Sequence, residues 1–195
     1  WEFPAFLLLG LVSAAVGIAF MAAVIGAERV RQRLVPLPDW ALPPVAGLFM
    51  GGVALYAPEL LGVSYETTTR TLDGELALSL LLVLIPLKVL ATSLCLACRF
   101  GGGVFSPSLF LGAITGGAFG LGLAALVTQI GPGAAVSSSG VYAIVGMAAV
   151  ASAVLGAPIS TMLIVFELTG NYEVTIAVMI ASAAMLVVLS GIRIS

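Results

Sequence analysis

Between Arg99 and Glu167 the chain carries no formal charge over 67 consecutive residues, Phe100 to Phe166. A soluble domain is about 25% charged, so a stretch of this length would ordinarily hold roughly 17 ionic side chains. A segment without one cannot cover itself with a hydrated surface. It has to be placed in lipid or enclosed by protein. The rest of the chain agrees. Hydrophobic residues make up 61% of the 195, charged residues 8%, and the mean hydropathy is +1.23. These values exclude a soluble globular enzyme and a disordered tail. Seven Lys and Arg against nine Asp and Glu exclude a nucleic-acid binder. The chain reads as a single, all-α transmembrane domain over residues 1–195, with the lipid bilayer as its solvent.

The counts narrow the chemistry further. There is no histidine, which removes the commonest general base and the commonest zinc ligand. Cys95 and Cys98 form C-x-x-C at helical spacing inside an apolar run, and read as small packing residues rather than a redox pair. No metal site and no catalytic residue is expected. The chain opens on Trp1 with no basic n-region and no small-residue cleavage site before its first apolar run, so it is expected to be part of something longer.

The apolar runs are uneven. Residues 5–27 are uncharged and long enough to cross a bilayer, and end in Glu28, Arg29, Arg31 and Arg33. The arginines place that end in the cytoplasm by the positive-inside rule. Pro36, Pro38, Pro43 and Pro44 read as a stiff connector. A second run, 41–63, is interrupted by Pro58 and Glu59. Asp73 is a candidate helix N-cap, with Glu75 in the first turn. A third run, 76–98, holds Pro86 and Lys88, and a break or kink is expected there. Lys88 either faces protein or water, or snorkels to the interface. Val141–Val154 is too short for an upright span, and the segment after Pro158 is shorter still. The last run is 172–192, with Asn171 as its N-cap and Glu173 at its positive end. Short interrupted helices at membrane depth are tolerated where they are enclosed or line a cavity, and are typical of ion pathways.

One string carries chemistry: RFGGGVFSPSLFLGAITGGAFG, Arg99 to Gly120. Gly101, Gly102 and Gly103 free the backbone and leave amides uncovered. Pro107 suits the first turn of a helix, where its missing N–H costs nothing. The amides of Gly103, Val104, Phe105 and Ser106 then surround a helix N-terminus, where free N–H groups and the positive dipole end attract an anion. A neutral site of this kind can release what it binds. The same glycines are also compatible with two helices simply packing. Gly112 and Gly116 form G-x-x-x-G, and with Gly117, Gly120 and Gly122 they belong to a small-residue face.

G-G-x-F-x-P followed by SLFLGAITGGAFG resembles the CLC family of chloride channels and chloride/proton antiporters. VYAIVGMAAVASAVLGAPISTMLIVFELTGNYEVTIAVMIA is similar to a late stretch of that family. GLFMGGVALYAPELLGVSYE resembles its P-x-x-x-G-x-G-[YF] motif through Pro58, Gly62 and Tyr65, with Val63-Ser64 departing from the usual glycine. The resemblance implies an all-helical membrane fold of long, tilted and broken helices, and this chain would supply its second inverted-repeat half. It implies that Val104 and Phe105 amides ligate a central chloride. Lys88 would be structural or electrostatic, and Glu167 a buried structural acid. Ile176, Met179, Ile180 and Ala183 would offer a homodimer face, which is equally compatible with lipid contact.

The first-half motifs G-S-G-I-P and G-[KR]-E-G-P do not occur. The chain alone is therefore expected not to form a selective pathway. The resemblance implies chloride or a similar anion as the transported ion, no cofactor is expected, and a bacterial inner membrane is the expected location. A broken-helix transporter of a small organic solute would need polar side chains at the breaks, which hold mainly Gly, Pro, Ala and Ser. An inert membrane scaffold would need long regular helices.

Overall fold

The computed structural model describes residues 3–34, 38, 41–55, 65–100, 102–130, 137–170 and 172–191. Pro36, Pro58, Glu59, Gly62, Gly101 and Asn171 lie outside the described residues. Among the described residues every regular element is a helix: α1 (Phe3–Leu34), α2 (Leu42–Ala54), α3 (Tyr65–Leu72), α4 (Leu78–Ala97), α5 (Phe105–Ile130), α6 (Ser139–Leu155), α7 (Pro158–Thr169) and α8 (Tyr172–Gly191). Among the described residues three stretches are long and apolar enough to cross a membrane: Pro4–Arg33, Leu78–Ala97 and Phe105–Val127. At 1.5 Å per residue α6 reaches about 25 Å and α7 about 18 Å, short of a hydrocarbon core of about 30 Å. Long spans are thus interspersed with short helices, of which α6 is the enclosed one, as the uneven apolar runs suggest.

Several boundaries differ from the sequence reading. Pro43 and Pro44 do not belong to a connector. They lie in the first turn of α2, where no backbone N–H is needed. Pro86 does not break α4, which runs unbroken from Leu78 to Ala97. Neighbouring helices re-satisfy the carbonyl freed by proline in such bundles. Asp73 is not an N-cap. It closes α3 in a turn where the Gly74 amide donates to the Thr71 carbonyl (3.2 Å) and the Glu75 amide to the Arg70 carbonyl (3.0 Å). Gly74 takes φ +74° there, which glycine adopts without penalty. The expected break near 155–158 is present. Gly156 caps α6 at φ 65° and Pro158 opens α7.

Two cores share α1. Leu9 packs with Tyr142, Val145, Ala148 and Ala149 of α6 and Val174, Val178 and Ala181 of α8. Further along α1, Phe20 joins Leu81 and Leu84 of α4 and Phe110, Leu111 and Ile114 of α5. The closest approach is between α5 and α6. A Cβ on Gly112 would strike Gly146 and Met147 backbone, one on Gly116 would strike Tyr142 and Ala143, and one on Gly146 would strike Gly112 and Gly116. These glycines are required because the two backbones touch. Gly120 is tight against Ser139 and Tyr142, at 3.1 Å. Gly122 departs from the expected face, since nothing lies within 4 Å of its would-be Cβ.

Candidate functional site

α4 and α5 run antiparallel, and their register fixes where α5 starts. Leu81 lies beside Gly117, and Lys88 lies against Phe110. The two contacts are seven residues apart on each helix, in opposite senses. Extending that register brings Phe105 opposite Ser93. Ala97 ends α4 four residues later. The chain turns at Cys98–Arg99 at the end of α4. Arg99 adopts φ 58°, with its amide donating to the Leu96 carbonyl (3.1 Å) and the Phe100 amide to the Cys95 carbonyl (3.0 Å). Non-glycine residues pay for that left-handed conformation.

The start of α5 is built by local chemistry. The Val104 carbonyl accepts from the Ser108 amide (3.1 Å), which makes Val104 the N-cap residue. The Ser108 hydroxyl, fully buried, donates to the Phe105 carbonyl (2.6 Å). Pro107 is the third helical residue and contributes no N–H. The amides of Val104, Phe105 and Ser106 are the ones helix geometry leaves without an intrahelical acceptor. Their surroundings are open. Gly102 and Gly103 are exposed, and Phe105 is 42% exposed. A Cβ at Gly102 would meet nothing within 4 Å, and one at Gly103 would meet the Phe105 amide nitrogen at 4.0 Å. Neither glycine uses a positive φ. Neither a positive φ nor a close contact among the described residues accounts for them.

Lys88 lies at the middle of α4 and is 4% exposed, with Nζ 4.8 Å from the Phe110 ring centroid. Of the two orientations open from sequence, it takes the protein-facing one. Glu167 is not the buried acid that the resemblance implies. Thr161 and Val165 form the inward stripe of α7. Glu167, two residues on, is turned about 200° away and is exposed. Ile176, Met179 and Ala183 line an exposed stripe of α8, with Ile180 half-buried beside them. They sit on a different element from the α5 N-terminus. Cys95 and Cys98 are half-buried free thiols. Tyr142 is fully buried, with Phe6 and Phe119 rings at 5.3 and 5.9 Å. Phe110, the seat of Lys88, is not signalled by the sequence, because the two residues are 22 apart and meet only through the helix pairing.

Comparison with known proteins places this geometry. A profile of the family described as voltage gated chloride channel matches residues 1–189. The chain is 32% identical over 188 residues to chloride channel protein CLC-f of Arabidopsis thaliana, covering 91% of this chain and 24% of that protein. It is 32% identical over 178 residues to the H(+)/Cl(-) exchange transporter ClcA of Salmonella paratyphi A, covering 90% of this chain and 37% of the relative. The ClcA protein of Yersinia pestis is 31% identical over 179 residues, 90% of this chain and 36% of the relative. The chain thus spans between about a quarter and two fifths of the length of these curated relatives. Matched almost from end to end by the family profile, it belongs to the voltage gated chloride channel family.

Proposed function

We propose that this chain supplies the second inverted-repeat half of a CLC-type anion transport domain. The anion, chloride in the first instance, is held by the backbone amides of Val104 and Phe105, with Gly103 and Ser106 beside them. The observation that carries the reading is the open start of α5. Gly102, Gly103 and Phe105 are exposed there, and the nearest atom to a Cβ on Gly103 would be the Phe105 amide nitrogen, at 4.0 Å. Two or three aligned N–H groups and the helix dipole provide about half a positive charge without a fixed ion. That binds an anion firmly enough for entry and loosely enough for exit. Relatives named as chloride channel and as chloride/proton exchanger both support movement of chloride rather than chemistry upon it.

The remaining parts of the reading follow from surfaces. The exposed α8 stripe of Ile176, Met179 and Ala183, with Ile159 and Leu163 of α7, is the face we assign to a homodimer contact. The relatives from Salmonella and Yersinia support a bacterial inner membrane as the location. Gly103→Val tests the site. The added side chain meets no clash in the fold but crowds the Phe105 amide. In proteoliposomes of the complete two-half protein, chloride flux is expected to fall at least tenfold while the unfolding midpoint stays unchanged. Unaltered flux would contradict the assignment.

A further inference from the structure

An ammonium at the middle of a membrane helix is costly unless the protein holds it. Lys88 is the eleventh residue of α4 and almost wholly enclosed. Its Nζ lies 4.8 Å from the centroid of Phe110, inside the range of about 6 Å at which a ring face attracts a cation. Phe110 is itself 1% exposed and packed among Phe20, Leu81, Leu84, Leu111 and Ile114. The ring therefore cannot turn away from the ammonium without disturbing the core. Lysine carries its charge on a flexible four-carbon stem, so the direction in which it points has to be set by something else.

Position gives this contact its meaning. Phe110 lies five residues past Phe105, about 7.5 Å along α5. The ring holds a full positive charge roughly 10 Å from the open amides, too far for contact with an ion there but near enough for its field to matter in a partly dehydrated site. A leucine at 110 would fill much of the same space and provide no face for the cation.

We infer that Phe110 is a positioning residue for anion transport: its ring face seats the Lys88 ammonium against α5 and so fixes how far that charge lies from the helix start. The inference rests on the proposed anion site. It assigns to an apolar core residue an electrostatic task that neither composition nor spacing reveals.

The test is progressive fluorination of the Phe110 ring, as mono-, di- and trifluorophenylalanine, in the complete two-half protein. Fluorine withdraws the negative ring face while nearly preserving its shape. Chloride flux is measured against chloride concentration in proteoliposomes, and the unfolding midpoint in detergent. The half-saturating chloride concentration should rise stepwise, about threefold or more at trifluorophenylalanine, with maximal flux within twofold. Lys88→Met should abolish the dependence on fluorination, and Lys88→Arg should retain it. A half-saturating concentration that stays flat across the series, or one that shifts equally with Lys88→Met, overturns the inference. If the unsubstituted protein moves no chloride, the anion-site reading fails, and the positioning role with it. The unfolding midpoint then still judges the contact: a stepwise decline that needs Lys88 supports the seat, and a flat series overturns that as well.

Discussion

α5 and the residues just ahead of it contain glycines of two kinds, separated by only a few turns. Gly112 and Gly116 are sealed against α6, and any side chain there would overlap the Gly146, Tyr142 or Ala143 backbone. Gly102 and Gly103, just ahead of the helix, face open space. Both sets are glycine-rich strings in an uncharged segment, and by composition they are indistinguishable. The first set lets backbone touch backbone, so its cost in helix propensity is offset by packing. The second set returns nothing to the fold within this chain. In the proposed function these glycines serve what approaches from outside, and the nearest atom to a Cβ on Gly103 is the Phe105 amide nitrogen, at 4.0 Å.

The contrast can be broken at its strongest point. Gly116→Val drives three carbons into α6 and is expected to cost well over 3 kcal/mol, more than ordinary overpacking, because backbone cannot yield as a side chain does. Loss of a monodisperse, folded protein on size-exclusion chromatography is the expected readout. Gly103→Val, by contrast, should leave stability within about 0.5 kcal/mol and act on transport alone. Arg99→Gly relieves the left-handed residue that leads into the open segment. It should raise stability by about 1 kcal/mol, seen as a higher unfolding midpoint in detergent. The smallest effect belongs to Gly122→Ala. That glycine lies in the same helix as the sealed ones but meets no neighbour, so alanine should stabilise by roughly 0.5 kcal/mol through helix propensity. A Gly122→Ala protein as damaged as Gly116→Val would erase the distinction between the two kinds.

Much of this architecture is legible in the sequence. The uncharged stretch, the short runs near 141–154 and 158–166, and the Gly156–Pro158 break all follow from charge, length and backbone freedom. So does the helix opening at Phe105. What sequence misplaces depends on neighbours or on local hydrogen bonding. Pro86 looks like a break, and α4 continues through it. Asp73 has the side chain of an N-cap, yet the Gly74–Glu75 turn uses it to end a helix. Glu167 lies in an apolar run and looks buried, but the inward stripe of α7 passes through Val165 and leaves Glu167 outside. Gly122, read with the small-residue face, lies about 120° around the helix from the Gly112–Gly116–Gly120 stripe and meets no neighbour. Phe110 is the converse, an ordinary core residue by pattern that acquires a cation only when α4 and α5 come together.

The most direct measurement removes one backbone N–H and keeps every side chain. Replacing Phe105 by its α-hydroxy acid turns that amide into an ester and keeps the side chain. A hydrogen bond to a charged group is worth about 1.5–3 kcal/mol, so chloride binding in the complete two-half protein, measured by calorimetry, should weaken at least tenfold. An ester at Thr115, in the middle of α5, should leave chloride binding unchanged. Equal affinity for the Phe105 ester and the unmodified protein would contradict the claim that the start of α5 holds the anion.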